Sequence, residues 1–236
     1  MEPITLTTAR LTLRTLTEAD VDPVYQACQD PEIRRWTTVP SPYRRADAEH
    51  FVTRICEDGW REGTEFTFGA VDTAGYGVLV AVIGLSMRGT RTGEVGFWTA
   101  RQYRGRGLMT EAVRAVAGWA FTEIPVDRVI WRAEVGNTAS RATALRVGFV
   151  LEGVERAGLL NNGVRRDCWV AALLPTDLGL PSTDPYLPAP TTTANRTPAP
   201  PAERGEPARQ RPHAARERPD GSAPPHIRPH HDHQNP

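Results

Sequence analysis

The chain has 236 residues, and its 28 basic residues, all arginine, balance 28 acidic ones, so the formal net charge is zero. Balanced charge argues against a nucleic-acid-binding protein. We see no apolar run typical of a leader or a membrane span. The three cysteines, Cys28, Cys56 and Cys168, lack metal-ligand spacing and fit reduced core residues. These features predict a soluble, cytoplasmic protein.

Composition changes near residue 175. All six tryptophans lie before Leu173, whereas fourteen of the 21 prolines lie from Pro181 onward. The stretch from residue 176 has too little apolar surface to offset the entropy of ordering. We therefore predict one domain over 1–175 and a disordered tail, rich in Pro, Arg and His, over 176–236. A loose transition-metal site or contact with an acidic partner are alternative roles for this tail, and a solvated appendage is the interpretation we favour.

The first half of the domain predicts two helices and four strands. Thr17 is the expected N-cap of the first helix, and Gly63 is the expected end of the second. In chain order the predicted elements are a strand over 10–16, a helix from 17 toward 30, a helix over 45–63, a hairpin of strands 65–71 and 77–86, and a strand over 93–100.

The second half predicts a helix from Leu108, a strand over 127–135, and a helix from Asn137 closed by Gly148. A final hairpin, 150–158 with 164–174, surrounds the "NNG" turn at 161–163. Strand, glycine turn, helix and strand form a crossover unit, which joins two parallel strands. The fold class is therefore mixed α/β, with a mostly antiparallel sheet and one parallel pair at its centre.

The stretch "ARQYRGRGLMTEA", residues 100–112, combines glycine, arginine and the start of a helix. The first N–H groups of a helix lack intrahelical partners and lie at the positive end of its dipole. Gly105 and Gly107 carry no Cβ that would keep a ligand from the main chain. This pattern suits a phosphate, and a plain strand-to-helix turn is the alternative. It is neither a dinucleotide fingerprint nor a Walker loop.

The same residues resemble a known family. Gln102, Gly105 and Gly107 fit Gln/Arg-x-x-Gly-x-Gly, the pyrophosphate loop of the GCN5-related N-acetyltransferases (GNAT). The segments "GLMTEA", "GN" with Ser140 three residues after Asn137, "RVGFVLEG" and "NNG" follow in the family's order. The N-terminal segment "RLTLRTLTEADVDPVYQACQDPEIRRW", residues 10–36, resembles the RimJ/RimL-like branch, which acetylates the N-termini of ribosomal proteins. The resemblance covers residues 6–174 and implies a sheet whose central parallel strands splay apart.

The resemblance implies an acyltransferase that moves an acetyl group from acetyl-coenzyme A to a primary amine, without a metal. Trp98 and Thr99 would contact the pantetheine arm and thioester through their backbone groups. Asn137 would bind the pantetheine, and an N-cap is its alternative role. The backbone of the loop would hold the pyrophosphate through Arg104, Gly105, Arg106, Gly107, Leu108, Met109 and Thr110. The two arginine side chains would add charge or remain solvated.

The resemblance also assigns the catalytic groups. Ser140 would give a proton to the departing thiolate, because the tyrosine that many members use is Ala144 here. A local cap is the alternative for Ser140. Glu94 would be the base or would hold a water, with Glu134 second, and both have a solvated role as the alternative. The loop 34–43, with Trp36, would line the acceptor site or pack in the core.

The acceptor is less defined. An α-amine has a pKa near 8 and lysine near 10.4, so an α-amine is about 3.4 kcal/mol easier to deprotonate at neutral pH. The resemblance to the ribosomal-protein branch implies a protein N-terminal α-amine, and this difference favours such an acceptor over a lysine side chain. The alternatives are a small-molecule amine, such as an antibiotic or a polyamine, and a non-catalytic acetyl-coenzyme A sensor.

Overall fold

An eight-stranded sheet organises the fold in the computed structural model, which describes residues 1–74, 77–182 and 185–189. Its order is β1-β2-β3-β4-β5-β6-β8-β7, and every neighbouring pair is antiparallel except β5 and β6. The strands are β1 (Leu6–Thr7), β2 (Leu11–Arg14), β3 (Glu65–Asp72), β4 (Leu79–Met87), β5 (Thr92–Thr99), β6 (Arg128–Glu134), β7 (Val150–Asn161) and β8 (Val164–Leu173). The predicted fold class is confirmed.

Six α-helices connect these strands within the described residues: α1 (Val21–Ala27), α2 (Pro31–Trp36), α3 (Arg45–His50), α4 (Cys56–Glu62), α5 (Leu108–Glu123) and α6 (Thr138–Val147). Short 3-10 segments cover Glu18–Asp20, Arg101–Tyr103 and Pro175–Leu178. No helix in the part of the chain that the structure describes is both long and apolar enough to cross a membrane.

The predicted helix from Thr17 toward Asp30 forms as a 3-10 turn capped by Thr17, followed by α1, which ends at Ala27. A second helix, which was not predicted, begins at Pro31. Proline has no N–H and favours the first helical turn, and the Asp30 side chain caps this helix by accepting from the Glu32 N–H. Consequently α2 overlaps the start of the predicted loop 34–43.

The predicted helix over 45–63 forms as α3, a π-helical segment over Phe51–Ile55, and α4. It ends as predicted at Gly63, whose φ of 68° lies in the left-handed region that glycine adopts without strain.

Two hydrophobic clusters lie on the two faces of the sheet. Ile83 and Leu85 of β4 belong to the larger cluster with α5, whereas Val82 belongs to the smaller cluster with α1, α2 and α3. Successive residues of a strand point to opposite faces, so this alternation separates a face covered by α5 from a face covered by the N-terminal helices. The three cysteines are buried free thiols.

The parallel pair at the centre opens along its length. Its ladder joins Thr92–Val95 of β5 to Arg128–Trp131 of β6 and then stops. Strand β5 continues to Thr99, where within the described residues it pairs only with β4. Because β6 also continues, to Glu134, the two strands enclose a wedge that exposes backbone polar groups of β5. The expected splayed pair is therefore present.

The predicted domain boundary at 175 falls at the start of the last 3-10 segment. Leu178 in this segment packs against the larger cluster, so the folded contacts continue slightly past the predicted end. Most of the predicted tail, residues 183–184 and 190–236, lies outside the described residues, and its order and its histidine-rich segment remain predictions.

Candidate active site

The loop between β5 and α5 presents free backbone donors. Gly105 and Gly107 have φ angles of 76° and 75°, a conformation that turns the chain into α5 and that other residues rarely adopt. Among the described residues, none accepts a hydrogen bond from the N–H groups of residues 105–110. The amide of Arg104 donates to the Arg101 carbonyl at 3.4 Å, so the free row begins one residue later than predicted. These donors, at the positive end of α5, suit a bound anion.

The loop arginines support the loop itself. Arg104 lies 2.8 Å from the Asp30 carboxylate and donates to the Thr99 carbonyl at 3.0 Å, which ties the loop to α2 and β5. Arg106 donates to the Gln102 carbonyl at 2.9 Å and its guanidinium lies 5.4 Å from the ring centre of Tyr103. Both side chains therefore have a structural role that sequence reasoning missed, beside any role toward a ligand.

A cavity of about 1210 Å³ adjoins this loop. It brings together the two predicted catalytic residues and all but one of the predicted donor-binding residues. Its lining includes Glu94, Trp98, Thr99, Arg104, Gly105, Arg106, Gly107, Leu108, Met109, Thr110, Asn137 and Ser140. Gln102 is the exception, because it is exposed and contributes its carbonyl to Arg106.

Ser140 is held by an unexpected partner. The indole N–H of Trp131, a residue 2% exposed on β6, donates to Ser140 Oγ at 3.0 Å. Within the described residues the Ser140 hydroxyl has no other side-chain partner, so its own hydrogen stays available for donation into the cavity. A hydrogen bond received at the oxygen also stabilises the alkoxide that remains after proton loss. This geometry suits a proton donor.

Asn137 is the N-cap of α6. Its Oδ1 accepts from the Ser140 N–H at 3.2 Å, which is the alternative role that the sequence left open. The side-chain amide carries two further donors on Nδ2. Since Asn137 also lines the cavity, the cap leaves these donors free for a ligand.

The two candidate carboxylates differ in their surroundings. Glu134, 8% exposed, accepts from both terminal nitrogens of Arg35 at 2.6 and 2.7 Å. This hydrogen-bonded guanidinium holds the pKa of the Glu134 carboxyl below its usual value, so Glu134 is poorly suited to accept a proton. Glu94 is more open, and its Oε2 accepts from Arg88 Nε at 2.9 Å.

One side of the cavity lies against the N-terminal helices. Trp36, Val39 and Tyr43 line it, as does Phe51, while Tyr43 is also buried in the smaller cluster, so a lining role of the loop 34–43 stays a prediction beside core packing. The Arg35 guanidinium stacks 4.2 Å from the ring centre of Trp36, and this stacking joins the Arg35–Glu134 pair to the wall.

Sequence reasoning missed Glu65. This residue begins β3 and lines the same cavity, where its carboxylate accepts from the Ser86 hydroxyl. Burial raises the pKa of the Glu65 carboxyl above its usual value. A lone glutamate before an apolar strand carries no signal of such surroundings.

Known proteins resemble this chain in sequence and in fold. Residues 10–150 match the model of the Acetyltransferase (GNAT) domain. YdaF of Bacillus subtilis (strain 168), which carries a provisional name as a ribosomal N-acetyltransferase, is 42% identical over 84 residues, or 36% of this chain and 46% of that protein. The ribosomal-protein-serine acetyltransferase of Escherichia coli (strain K12) is 32% identical over 73 residues, or 30% of this chain and 41% of that protein. The chain thus aligns with about half the length of these relatives or less.

Among solved structures, Mycobacterium smegmatis RimJ in complex with CoA-disulfide superimposes with a TM-score of 0.67. It is 21% identical, and the superposition covers 76% of this chain and 92% of that one, so it supports the fold. The domain model covers more than half of the chain and includes the loop, the splayed strands and Ser140. The chain therefore belongs to the GNAT acetyltransferase family.

Proposed function

We propose that the protein transfers an acetyl group from acetyl-coenzyme A to the α-amine of a protein N-terminus. One observation carries this proposal: a row of unpaired backbone N–H groups, residues 105–110, opens onto the cavity that also contains Ser140. An anionic diphosphate satisfies these donors, and the rest of the donor molecule then extends toward the wedge between β5 and β6.

The wedge fits the pantetheine arm. Beyond the parallel ladder, the Thr99 carbonyl accepts from Arg104 and the backbone of Trp98 faces β4, whereas the Thr99 N–H turns toward the wedge. The Thr99 N–H is therefore the group that we assign to an amide-bearing chain. Asn137 adds its free Nδ2 donors from the start of α6. A donor near the thioester carbonyl stabilises the negative charge that grows on its oxygen during attack.

The reaction then needs three proton movements. The amine nitrogen attacks the thioester carbon, a C–N bond forms, and the C–S bond breaks with its electron pair on sulfur. Ser140 gives its hydroxyl proton to that sulfur, while the Trp131 indole N–H steadies the oxygen left behind. The ammonium form of the amine first loses one proton toward the acceptor side, where Glu94 acts as a base or holds a water. As the amide forms, the nitrogen gives its second proton to the Ser140 oxygen, which regenerates the hydroxyl.

The relatives' names and the chemistry both favour a protein N-terminus. A ribosomal-protein-serine acetyltransferase is among the relatives. An α-amine is also mostly available near pH 8, whereas a lysine side chain needs a stronger base. An acceptor of this kind places the protein in the cytoplasm, which suits its free, buried cysteines.

The test is an acceptor screen with acetyl-coenzyme A, read by release of free thiol and by mass spectrometry of the products. We expect acetylation of short peptides with a free N-terminus and none of the same peptides with a blocked N-terminus and an internal lysine. Preferential turnover of polyamines or aminoglycosides would reassign the acceptor to small molecules. Tight binding of the donor without turnover of any amine would identify a sensor.

A further inference from the structure

Three polar residues form a row across the sheet on its acceptor side. Glu65 on β3 lies directly opposite Ser86 on β4, and Ser86 lies directly opposite Glu94 on β5. Directly opposite residues in antiparallel strands have Cβ atoms about 5 Å apart and share one face. Since Val82 lies on the same face of β4 as Ser86, this row faces the N-terminal helices.

Glycines make room for the Glu65 carboxylate. A Cβ on Gly84 of β4 would lie 2.4 Å from Glu65 Oε1, and a Cβ on Gly59 of α4 would lie 2.7 Å from Glu65 Cβ. Neither position admits a side chain while Glu65 stays where it is. The carboxylate therefore occupies a recess formed by residues that lack side chains, rather than a loose place on the surface.

The next row of the sheet leads toward the wedge. Gly84 lies opposite Gly96, and a Cβ on Gly96 would meet nothing within 4 Å. Trp98 follows two residues later on the same face of β5. Four residues of strand span about 13 Å, so Glu94 in this row lies about 13 Å along β5 from Trp98. A few bridging waters above Gly84 and Gly96 can connect the row to an amine that reacts near Trp98.

The charges distinguish the two carboxylates. Glu94 has Arg88 as an ion-pair partner, whereas no cation pairs with Glu65 among the described residues. Burial raises the pKa of the Glu65 carboxyl, as does the nearby charge of Glu94. The remaining groups around Glu65 are the Thr67 hydroxyl, the Arg88 guanidinium and the Cys56 thiol, with Asp47 and His50 lining the cavity from α3.

We propose that Glu65 takes up, through the Ser86 hydroxyl, the proton that the acceptor amine loses. This inference rests on the proposed function. A water beside the amine accepts the ammonium proton and passes a proton to Ser86 Oγ, whose own hydrogen moves to Glu65 Oε2. The amine becomes neutral, Glu65 becomes a carboxylic acid, and Ser86 is regenerated. Glu94, paired with Arg88, holds the waters in place.

The experiment is the pH dependence of kcat/KM with a peptide α-amine acceptor, between pH 5 and 9, for the wild type and Glu65→Gln. In the wild type the activity should rise with pH through the pKa of Glu65 and level off below the pKa of the amine. Without Glu65 the amine must lose its proton to solvent first, so the rise should move up to about pH 8. Glu65→Gln should then lose about tenfold at pH 7 and almost nothing at pH 9.

A matched pair at Ser86 tests the path and does not depend on the folding of Glu65→Gln. Ser86→Thr keeps the hydroxyl and should keep the wild-type pH profile. Ser86→Val has the shape of threonine without the hydroxyl, so its pH profile should match that of Glu65→Gln. Equal losses at pH 7 and pH 9 in Glu65→Gln, or identical profiles for the two Ser86 variants, would overturn the inference and leave the proposed function intact. Failure of the wild type to acetylate any peptide α-amine would overturn the proposed function itself.

Discussion

Gly107→Glu tests the anion site most directly. Gly107 is the N-cap of α5, and a Cβ there would lie 3.7 Å from Arg10 Nη2, an ordinary contact, so a side chain fits. The new carboxylate would lie beside the free N–H row. One carboxylate about 5 Å from a phosphate charge, at an effective dielectric constant of about 20, costs about 3 kcal/mol. That energy corresponds to roughly 200-fold weaker binding of acetyl-coenzyme A.

The backbone conformation needs its own control. A side chain at a left-handed position costs about 1–2 kcal/mol whatever its charge. Gly163, in the turn between β7 and β8, has the same φ of 75° and nothing within 4 Å of an added Cβ. Gly163→Glu therefore introduces a similar backbone cost and the same charge away from the loop.

Calorimetric titration with acetyl-coenzyme A, together with the melting temperature of each variant, separates the two effects. Both variants should melt at lower temperature than the wild type, and only Gly107→Glu should lose affinity. If Gly107→Glu binds the donor as tightly as Gly163→Glu does, the reasoning about the loop is refuted.

Three further predictions concern the walls of the cavity. Ser140→Ala should lower kcat by about 100-fold or more while the affinity for acetyl-coenzyme A, measured by calorimetry, stays near that of the wild type; a matching loss of affinity would contradict its role as an acid. Asn137→Asp keeps the cap oxygen but removes the Nδ2 donors, so it should preserve the melting temperature and weaken donor binding, whereas Asn137→Ala should lower both. Arg35→Met leaves the buried Glu134 carboxylate without its guanidinium and should lower the melting temperature at pH 7. Arg35 lowers the pKa of Glu134 in the folded state. The contribution of the Arg35–Glu134 pair to the free energy of unfolding is therefore present above about pH 4.3 and is lost as the pH falls through the lowered pKa. The melting temperatures of Arg35→Met and the wild type should therefore converge in acid, and a constant difference would argue for lost packing instead.

Local patterns predicted most of the architecture. The hairpin of β3 and β4, the crossover around α5, and the ends of α4 and α6 at Gly63 and Gly148 are all local signals, and each is confirmed. The free N–H row follows from the same logic, since two glycines before a helix leave its first donors open. Helix α2 was missed although Asp30 and Pro31 carry an N-cap and first-turn signal, because six residues show too little periodicity.

The polar partners could not be predicted from the sequence. Arg35 and Glu134 are 99 positions apart, and only the packing of α2 against the end of β6 brings them together. The row of Glu65, Ser86 and Glu94 depends on the register of two hairpins, and one of these contains an irregularity at Ala70. A shift of one residue in either register would place the row on the other face. Such contacts belong to the assembled sheet and not to any local segment.

The short ladder between β5 and β6 makes the stability of the protein depend on its ligand. Beyond Val95 the β6 side of β5 is unpaired in the described part of the chain, which leaves polar groups for water or for a ligand to satisfy. Under the proposed function, acetyl-coenzyme A forms hydrogen bonds with these backbone groups of β5 and binds only the folded chain. Saturation at a hundredfold excess over its dissociation constant adds about 2.7 kcal/mol to the free energy of unfolding. The enzyme would thus be most resistant to unfolding, and to proteolysis of the unfolded chain, when acetyl-coenzyme A is plentiful.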